Sequence, residues 1–463
     1  MENKEKAYLL GVDVGTTGTK AMLFSADGTL VGQAYESYPL HTPQPDFCEQ
    51  DPQDWWNALC NTVKKVCRDP AIRQNIKALS LSTQGGTTLC VDERGEPLRP
   101  AMVWNDRRCS AQRQEMPKFP VYQTCGWYAD NAMPALQCRW LQENQPEIFG
   151  KMAMLLTVPD YLSLKLTGKA AIDPSNAGIC RFTDVRTGKY APEIVAYAGL
   201  EEKQLPVIVP SGAPIGTLTQ EAAEILELPK ETVLVSGAHD QYAVSLGGGA
   251  CQKGDILIGS GTSWVITSLS DEPDFASGFC QSVSAVPGMW GSLRSLPSGG
   301  VCLEWLRKIL GNISYEEINE EVATREAAAE GLRFTPFSIQ TGEASFTGLK
   351  LRHDRFHLAR AVMEGVAFQT VKMLQGFSAK PSQDGIIFAG GAAKSEVWCQ
   401  ILADIAGIPL KIPENPDLGC IGAAILAGVG CGLYPDVQTG CKHLCVSSRI
   451  VKPNPNSKLK SIQ

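Results

Sequence analysis

The sequence predicts an α/β protein made of two related halves that close over a shared cleft. Three observations carry this prediction. The chain has 463 residues, more than one ordinary core holds, so two or three domains are expected. It opens as three strands followed by a helix, unlike the strand–helix–strand start of a dinucleotide-binding fold. A glycine turn between two apolar runs occurs twice, once at Gly15–Gly18 and again at Gly259–Thr262.

Each element follows from a local pattern. Tyr8–Val14 is apolar and β-branched, Lys20–Ser25 follows a Gly/Thr turn, and Ala26-Asp27-Gly28 turns the chain into Thr29–Ser37. Asp51–Cys67 reads as a helix capped by Asp51, with Trp55, Leu59, Val63 and Val66 on one face. Ile76–Ser82 is an apolar strand ending in Thr83-Gln84-Gly85-Gly86. The layout then restarts. Val233–Ser236 is a short buried strand, and Asp255–Ile258 and Ser263–Ser268 flank the second glycine turn. Leu358–Phe377 is a helix, Gly385–Ala389 a buried strand and Glu396–Ile405 a helix. The boundary is expected near Gly237, giving domains 1–236 and 237–463.

Composition excludes several classes. The net charge of −7 does not suit non-specific nucleic-acid binding, which needs many cations to displace counterions. No targeting segment is visible in MENKEKAYLL. The longest apolar stretch, Cys420–Leu433, is short of the ~20 residues that span a bilayer, so no membrane partner is expected. The 16 cysteines include no CxxC pair. They read as reduced thiols, and the expected compartment is the cytoplasm. The densest group, Cys431, Cys441 and Cys445 with His443, lacks the second close pair that a metal site needs.

The chemistry starts at Asp13-Val14-Gly15-Thr16-Thr17-Gly18-Thr19-Lys20. Gly15 and Gly18 let backbone approach a phosphate with no Cβ in the way. Thr16 and Thr17 add hydroxyl and amide donors, and Lys20 adds a cation. Asp13, at a strand end, suits a Mg²⁺ that bridges nucleotide phosphates. A plain Gly/Thr hairpin is the alternative. Gly261 and Thr262 form a second loop of the same kind. Gly390-Gly391 follows a strand, and Ser395 reads both as a helix cap and as a contact to a nucleoside.

The order of further motifs carries a resemblance. After the first loop come Gln84, Trp104-Asn105-Asp106-Arg107-Arg108, Trp140-Leu141-Gln142-Glu143-Asn144, Pro159-Asp160-Tyr161-Leu162 and Asp173-Pro174-Ser175-Asn176-Ala177. The second half adds Gly237-Ala238-His239-Asp240-Gln241, Gly259-Ser260-Gly261-Thr262-Ser263, Phe346-Thr347-Gly348-Leu349, Ala361-Val362-Met363-Glu364-Gly365, Gly390–Ser395 and Leu418–Gly428. In this register the chain resembles the FGGY carbohydrate kinases, the family of xylulokinase and glycerol kinase, over nearly its whole length. The resemblance implies two domains of the ribonuclease-H, actin, hexokinase and Hsp70 type. It also implies that ATP, Mg²⁺ and a small sugar or polyol meet between them.

The same resemblance assigns roles. Asp240 is the catalytic base that accepts the proton of the attacking hydroxyl, and with Asp13 a Mg²⁺ ligand, directly or through water. Gln84, Trp104, Asp240 and Gln241 bind the substrate, with the Trp104 indole against the sugar. Asp106 and Arg108 support the same pocket, with ordinary surface ion pairing as the alternative. Asp13, Gly15, Thr16, Thr17, Lys20, Gly261, Thr262, Gly390, Gly391 and Ser395 hold the nucleotide. His239 reads as a packing or hydrogen-bonding side chain rather than a second base. A homodimer is left open.

Three departures bear on the substrate. Gly85-Gly86 stands where xylulokinases usually show Met-His and glycerol kinases Arg-Glu. Ala132 stands where glycerol kinase places an aromatic, with Trp127, Tyr128, Asp130 and Asn131 as nearby replacements. The segment before Phe346 is cut to Ser338–Ser345. The alternatives to a sugar kinase are a sugar-binding regulator or an ATPase on the same fold.

Overall fold

The computed structural model describes residues 7–116, 119–338, 340–382 and 384–461. Ile339, in the shortened segment, and the first six residues lie outside them. Two large sheets dominate. The first runs in the order Pro214–Thr217, Val233–His239, Ile76–Thr83, Tyr8–Val14, Gly18–Ser25, Leu30–Ser37. The second runs Cys280–Val283, Trp290–Leu296, Trp264–Ser270, Ile256–Ser260, Ile386–Gly390, Leu410–Pro413, Ser447–Val451.

The two sheets repeat one topology. Each has an antiparallel meander whose first strand pairs in parallel with a later strand, then a second parallel strand, then an antiparallel edge. This is the two-domain ribonuclease-H-like architecture. The second sheet carries one extra edge strand, Cys280–Val283. Gly237 lies in the last parallel strand of the first sheet, and the second sheet opens at Ile256.

The expected elements form for the reasons their patterns suggest. The first helix spans Pro52–Val66, and the Asp51 carboxylate accepts the Gln53 amide at 2.9 Å. Its buried face carries Trp55, Trp56, Leu59 and Val63 against the first sheet. Trp398, like Trp55, is core, whereas Trp140 and Trp305 are half-buried. The helix expected at 358–377 starts earlier, at Arg355, because Asp354 caps it through the amides of Phe356 and His357.

Each half ends its second parallel strand in a helix. These are Asp240–Gly247 and Leu418–Gly430, and they pack on one another between the sheets. They approach closely enough that a Cβ at Gly247 would stand 2.0 Å from the Leu418 carbonyl, and one at Gly422 2.0 Å from that of Ala243. The apolar run Cys420–Leu433 is therefore mostly an interior helix at the junction of the halves. No helix among the described residues is long and apolar enough to cross a membrane. The cysteines are free, and most are buried.

Candidate active site

The parallel strands Tyr8–Val14, Ile76–Thr83 and Val233–His239 end side by side, with Val14 opposite Thr83 and Thr83 opposite His239. Their next residues are Gly15, Gln84 and Asp240, so the topology gathers three sequence-predicted groups at one carboxyl edge. Ligands of open α/β sheets bind at such edges, where side chains and helix amides converge. The second sheet does the same with Ser260 opposite Gly390.

The first loop is tightly braced. The Gly15 amide is spent on the Gly18 carbonyl at 3.0 Å, and Tyr38 donates its hydroxyl to the Gly15 carbonyl at 2.5 Å. That leaves the amides of Thr16 and Thr17 as the donors this turn can offer. Thr16 also ties the loop to the neighbouring pocket. Its hydroxyl donates to Gln84 Oε1 and accepts from Trp104 Nε1, each at 3.0 Å. Gln84 Nε2 donates to Gln50 Oε1 at 2.7 Å, and Gln50 Nε2 donates to the Thr16 carbonyl at 2.7 Å. A closed ring of Thr16, Gln84 and Gln50 results. Gln84 is 2% exposed and has both ends engaged, so it holds Thr16 rather than presenting a free amide to the cleft.

Asp13 is the next-to-last residue of strand Tyr8–Val14. Ser82 donates to its Oδ1 at 2.6 Å. Burial pushes its carboxyl up to about 6; Ser82 and Lys20 oppose the shift, and the nearby charges of Asp240 and Asp417 add to it. Lys20 is ion-paired with Asp417 at 2.5 Å, beside the start of Leu418–Gly430. Asp240 is the first residue of its helix and is half-buried, as is Gln241 beside it. Its Oδ1 is buried and accepts no hydrogen bond, although His239 Nε2 lies 3.1 Å away.

Trp104 is 53% exposed and flanks Gly86, where a Cβ would come within 3.4 Å of the Trp104 Cβ. The space over Gly85 is filled by His239 and Ile179. Asp106 and Arg108 lie elsewhere. Arg108 is buried in a two-point pair with Asp106, also bonds Glu49, and stacks on Phe47 at 3.8 Å. They brace the scaffold instead of lining the pocket. Trp127 and Tyr128 reach the other half, donating to the Ser282 hydroxyl at 2.8 Å and the Gly278 carbonyl at 3.0 Å. Ala132 is buried.

On the second half, the amides of Gly300 and Val301 hold the carbonyls of Gly261 and Thr262, fixing the second loop against the start of helix Gly300–Ile309. Ser260 joins that loop to Gly390-Gly391. Its carbonyl accepts the Gly391 amide at 2.9 Å and its hydroxyl the Ala392 amide at 3.2 Å. Ser395 is a helix cap, accepting the Trp398 amide and donating to Asn319 at 2.6 Å. Beside the shortened segment, Arg333–Thr335 pairs antiparallel with Ser345–Thr347.

Four supporting residues were not singled out from sequence: Gln50, Ser82, Ser175 and Asp417. Ser175 lay in a quoted motif without a role; it accepts the His239 amide at 2.8 Å and donates to Asp173 at 2.5 Å. Asp417 precedes a quoted helix. Gln50 and Ser82 carry no signal in a single sequence, because their partners are 34 and 69 residues away.

Comparison with known proteins shows the family. The N-terminal domain model of the FGGY family of carbohydrate kinases matches residues 8–247, and the C-terminal domain model matches residues 256–431. A xylulose kinase of Escherichia coli is 30% identical over 473 residues, covering 96% of each chain. A gluconokinase of Bacillus licheniformis is 28% identical over 460 residues, 92% of this chain and 87% of its own. The crystal structure of a xylulose kinase from Rhodospirillum rubrum superposes with a TM-score of 0.88 at 27% identity, covering 97% of this chain and 94% of that one. The chain belongs to the FGGY family of carbohydrate kinases.

Proposed function

We propose that this carbohydrate kinase transfers the γ-phosphoryl group of Mg–ATP to a hydroxyl of a neutral ketose or alditol, with Asp240 as the base. The observation that carries the reading is the placement of Asp240. It opens a helix at the carboxyl edge of the first sheet, with a buried Oδ1 that accepts no hydrogen bond, and its charge reaches Asp13 across the strand between them. In the reaction Asp240 takes the hydroxyl proton, the freed oxygen bonds to the γ-phosphorus, and the bond from that phosphorus to the bridging oxygen breaks to release ADP. Positioning and charge stabilisation supply most of the acceleration. The Thr16 and Thr17 amides, with the loop at Gly261-Thr262, hold the phosphates.

Mg²⁺ fits the residues present. Asp13 and Asp240 bring two carboxylates to one cleft edge, and this ion is commonly held by one or two carboxylates plus substrate phosphates. When bound it would neutralise charge on the phosphates. Among the described residues no larger cluster of His, Cys, Asp or Glu is arranged to hold a metal.

The relatives' names divide between a neutral ketose and an acid. Lys20 is committed to Asp417 and Arg181 to Asp130. With the carboxylates of Asp13 and Asp240 at one sheet edge, an uncharged substrate suits the site. We further propose action in the cytoplasm, where free thiols stay reduced, and a division between domains in or just after Val233–His239.

ADP release measured with ketoses, alditols and gluconate, with and without Mg²⁺, tests the reading. Neutral sugars should exceed gluconate by at least about tenfold in kcat/KM, about 1.4 kcal/mol of discrimination. Gluconate as the best substrate would overturn the substrate class alone. Asp240→Asn should lower kcat by about 10²–10⁴-fold and leave ATP affinity near normal. A variant with wild-type turnover would remove Asp240 as the base.

A further inference from the structure

We propose that His239 is a positioning residue that holds the Asp240 carboxylate, and that Gly85 is the seat that lets it do so. The inference rests on the reading of Asp240 as the base. It starts from the buried Gly85. A Cβ there would stand 2.5 Å from Cδ2 of His239, 3.0 Å from its Nε2 and 2.6 Å from Cγ2 of Ile179. The ring cannot easily step aside. Its edge meets the Tyr242 ring at 5.8 Å between centroids, and the His239 amide is fixed by Ser175, itself bonded to the buried Asp173.

The seat delivers a nitrogen to the base. Nε2 of His239 lies 3.1 Å from Oδ1 of Asp240. That oxygen accepts no hydrogen bond, and a small turn of the carboxylate would offer it to the fixed ring. An N–H on Oδ1 fixes the rotation of the carboxylate and leaves Oδ2 for the substrate hydroxyl. A base oriented by a further side chain is a recurrent catalytic arrangement. Packing alone does not account for an imidazole here, because Nδ1 is buried with no partner and an apolar ring would fill the space without that cost.

The test uses the full chain with Mg–ATP and its best neutral sugar, reading kcat, sugar KM and ADP affinity. His239→Phe keeps the ring and removes the nitrogens. It should lower kcat by about 10- to 100-fold, with ADP affinity unchanged within about twofold. His239→Gln restores an N–H of similar reach and should recover to within about fivefold of wild type. Gly85→Ala should reproduce the loss, yet add little in a His239→Ala background, where the ring is gone and Ile179 gains room to yield. If His239→Phe does not fold, the comparison is read from His239→Ala against His239→Gln. Wild-type kcat in His239→Phe, a Gln variant no better than Phe, or an additive Gly85→Ala would each overturn the proposal. Asp240→Asn is assayed alongside. If it is inactive while His239→Phe is normal, only the His239 role falls. If it is fully active, the base assignment falls and this inference with it.

Discussion

The two sheets share a strand order and differ in what stands at their strand ends. Hydrogen bonding sets the correspondence. The Gln84 amide donates to the Val14 carbonyl, as the Gly391 amide does to that of Ser260, each at 2.9 Å. Asp13-Val14-Gly15-Thr16-Thr17 therefore matches Gly259-Ser260-Gly261-Thr262-Ser263, and Gln84 matches Gly391. The loop chemistry repeats: glycine, then hydroxyl residues. The flanking chemistry does not. The first half supplies carboxylates, a buried glutamine and an indole. The second supplies glycines and a serine that leave bare backbone. On the proposed function, two copies of one hairpin are divided into a reacting side and a holding side, and each contrast between them can be broken by substitution.

The largest expected effect lies at the first position. Asp13→Asn should lower Mg²⁺-dependent kcat by about 10²-fold or more, of the order of 3 kcal/mol in the transition state. Gly259→Ala, at the matching position, should be nearly silent, since a Cβ there meets the Val265 carbonyl at 3.7 Å, ordinary contact. Steady-state rates of the two variants decide it. Equal losses would mean that the halves are not divided in this way.

The contact that joins the halves is next. Gly422→Ala would place a Cβ 2.0 Å from the Ala243 carbonyl, and backbone on both sides cannot yield cheaply. A loss of roughly 3 kcal/mol is expected, in the range of severe overpacking. Gly15→Ala, whose nearest atom is the Gly18 carbonyl at 3.5 Å, should cost under about 1 kcal/mol. Denaturant midpoints measure both. Wild-type stability in Gly422→Ala would show that the helices do not press together here.

How much of this was legible depended on the range of the interaction. The strands around Gly15–Gly18, the Asp51 cap and the helix at Glu396 follow from neighbours in sequence, and they form within a few residues of their expected bounds. The repeated hairpin was legible because both copies keep glycine and threonine. The roles of Gln84 and Arg108 were not. Gln84 faces Gln50 and Thr16, and Arg108 turns to Asp106 and Glu49. Either could have pointed into the cleft, and only the packed structure chooses. The filling of the space over Gly85 was equally out of reach, because the His239 ring comes from a distant strand that the pairing of Thr83 with His239 brings alongside.

A smaller effect separates the two threonines. Thr16→Val removes the hydroxyl that links Trp104 to Gln84, and should raise the sugar KM by about three- to tenfold, the equivalent of about 1 kcal/mol. Thr262→Val, in the second loop proposed to hold phosphate, should act on ATP affinity instead. Measuring KM for both substrates in both variants tests the division. A Thr16→Val effect confined to ATP would reverse it.

One further effect is a gain in stability. Burial holds the Asp13 carboxyl near 6 in the folded protein, against an ordinary value of 3.8. The folded state thus binds that proton more tightly than the unfolded chain does. The associated stability is fully present below about pH 4 and is lost as pH rises through about 6. At pH 7.5 the metal-free protein carries a buried anion that the first sheet would fold better without. Asp13→Asn removes the charge and keeps an acceptor for Ser82. It should raise the unfolding free energy at pH 7.5 by about 1–2 kcal/mol, and the advantage should shrink to nothing by pH 4. Denaturant titrations of both metal-free proteins at pH 4, 5, 6 and 7.5 read this directly. A gap that stays constant across that range would mean that shape, and not charge, separates the variants. A gap that closes as described would mark Asp13 as a residue held at the expense of stability, which its silent counterpart Gly259 is not.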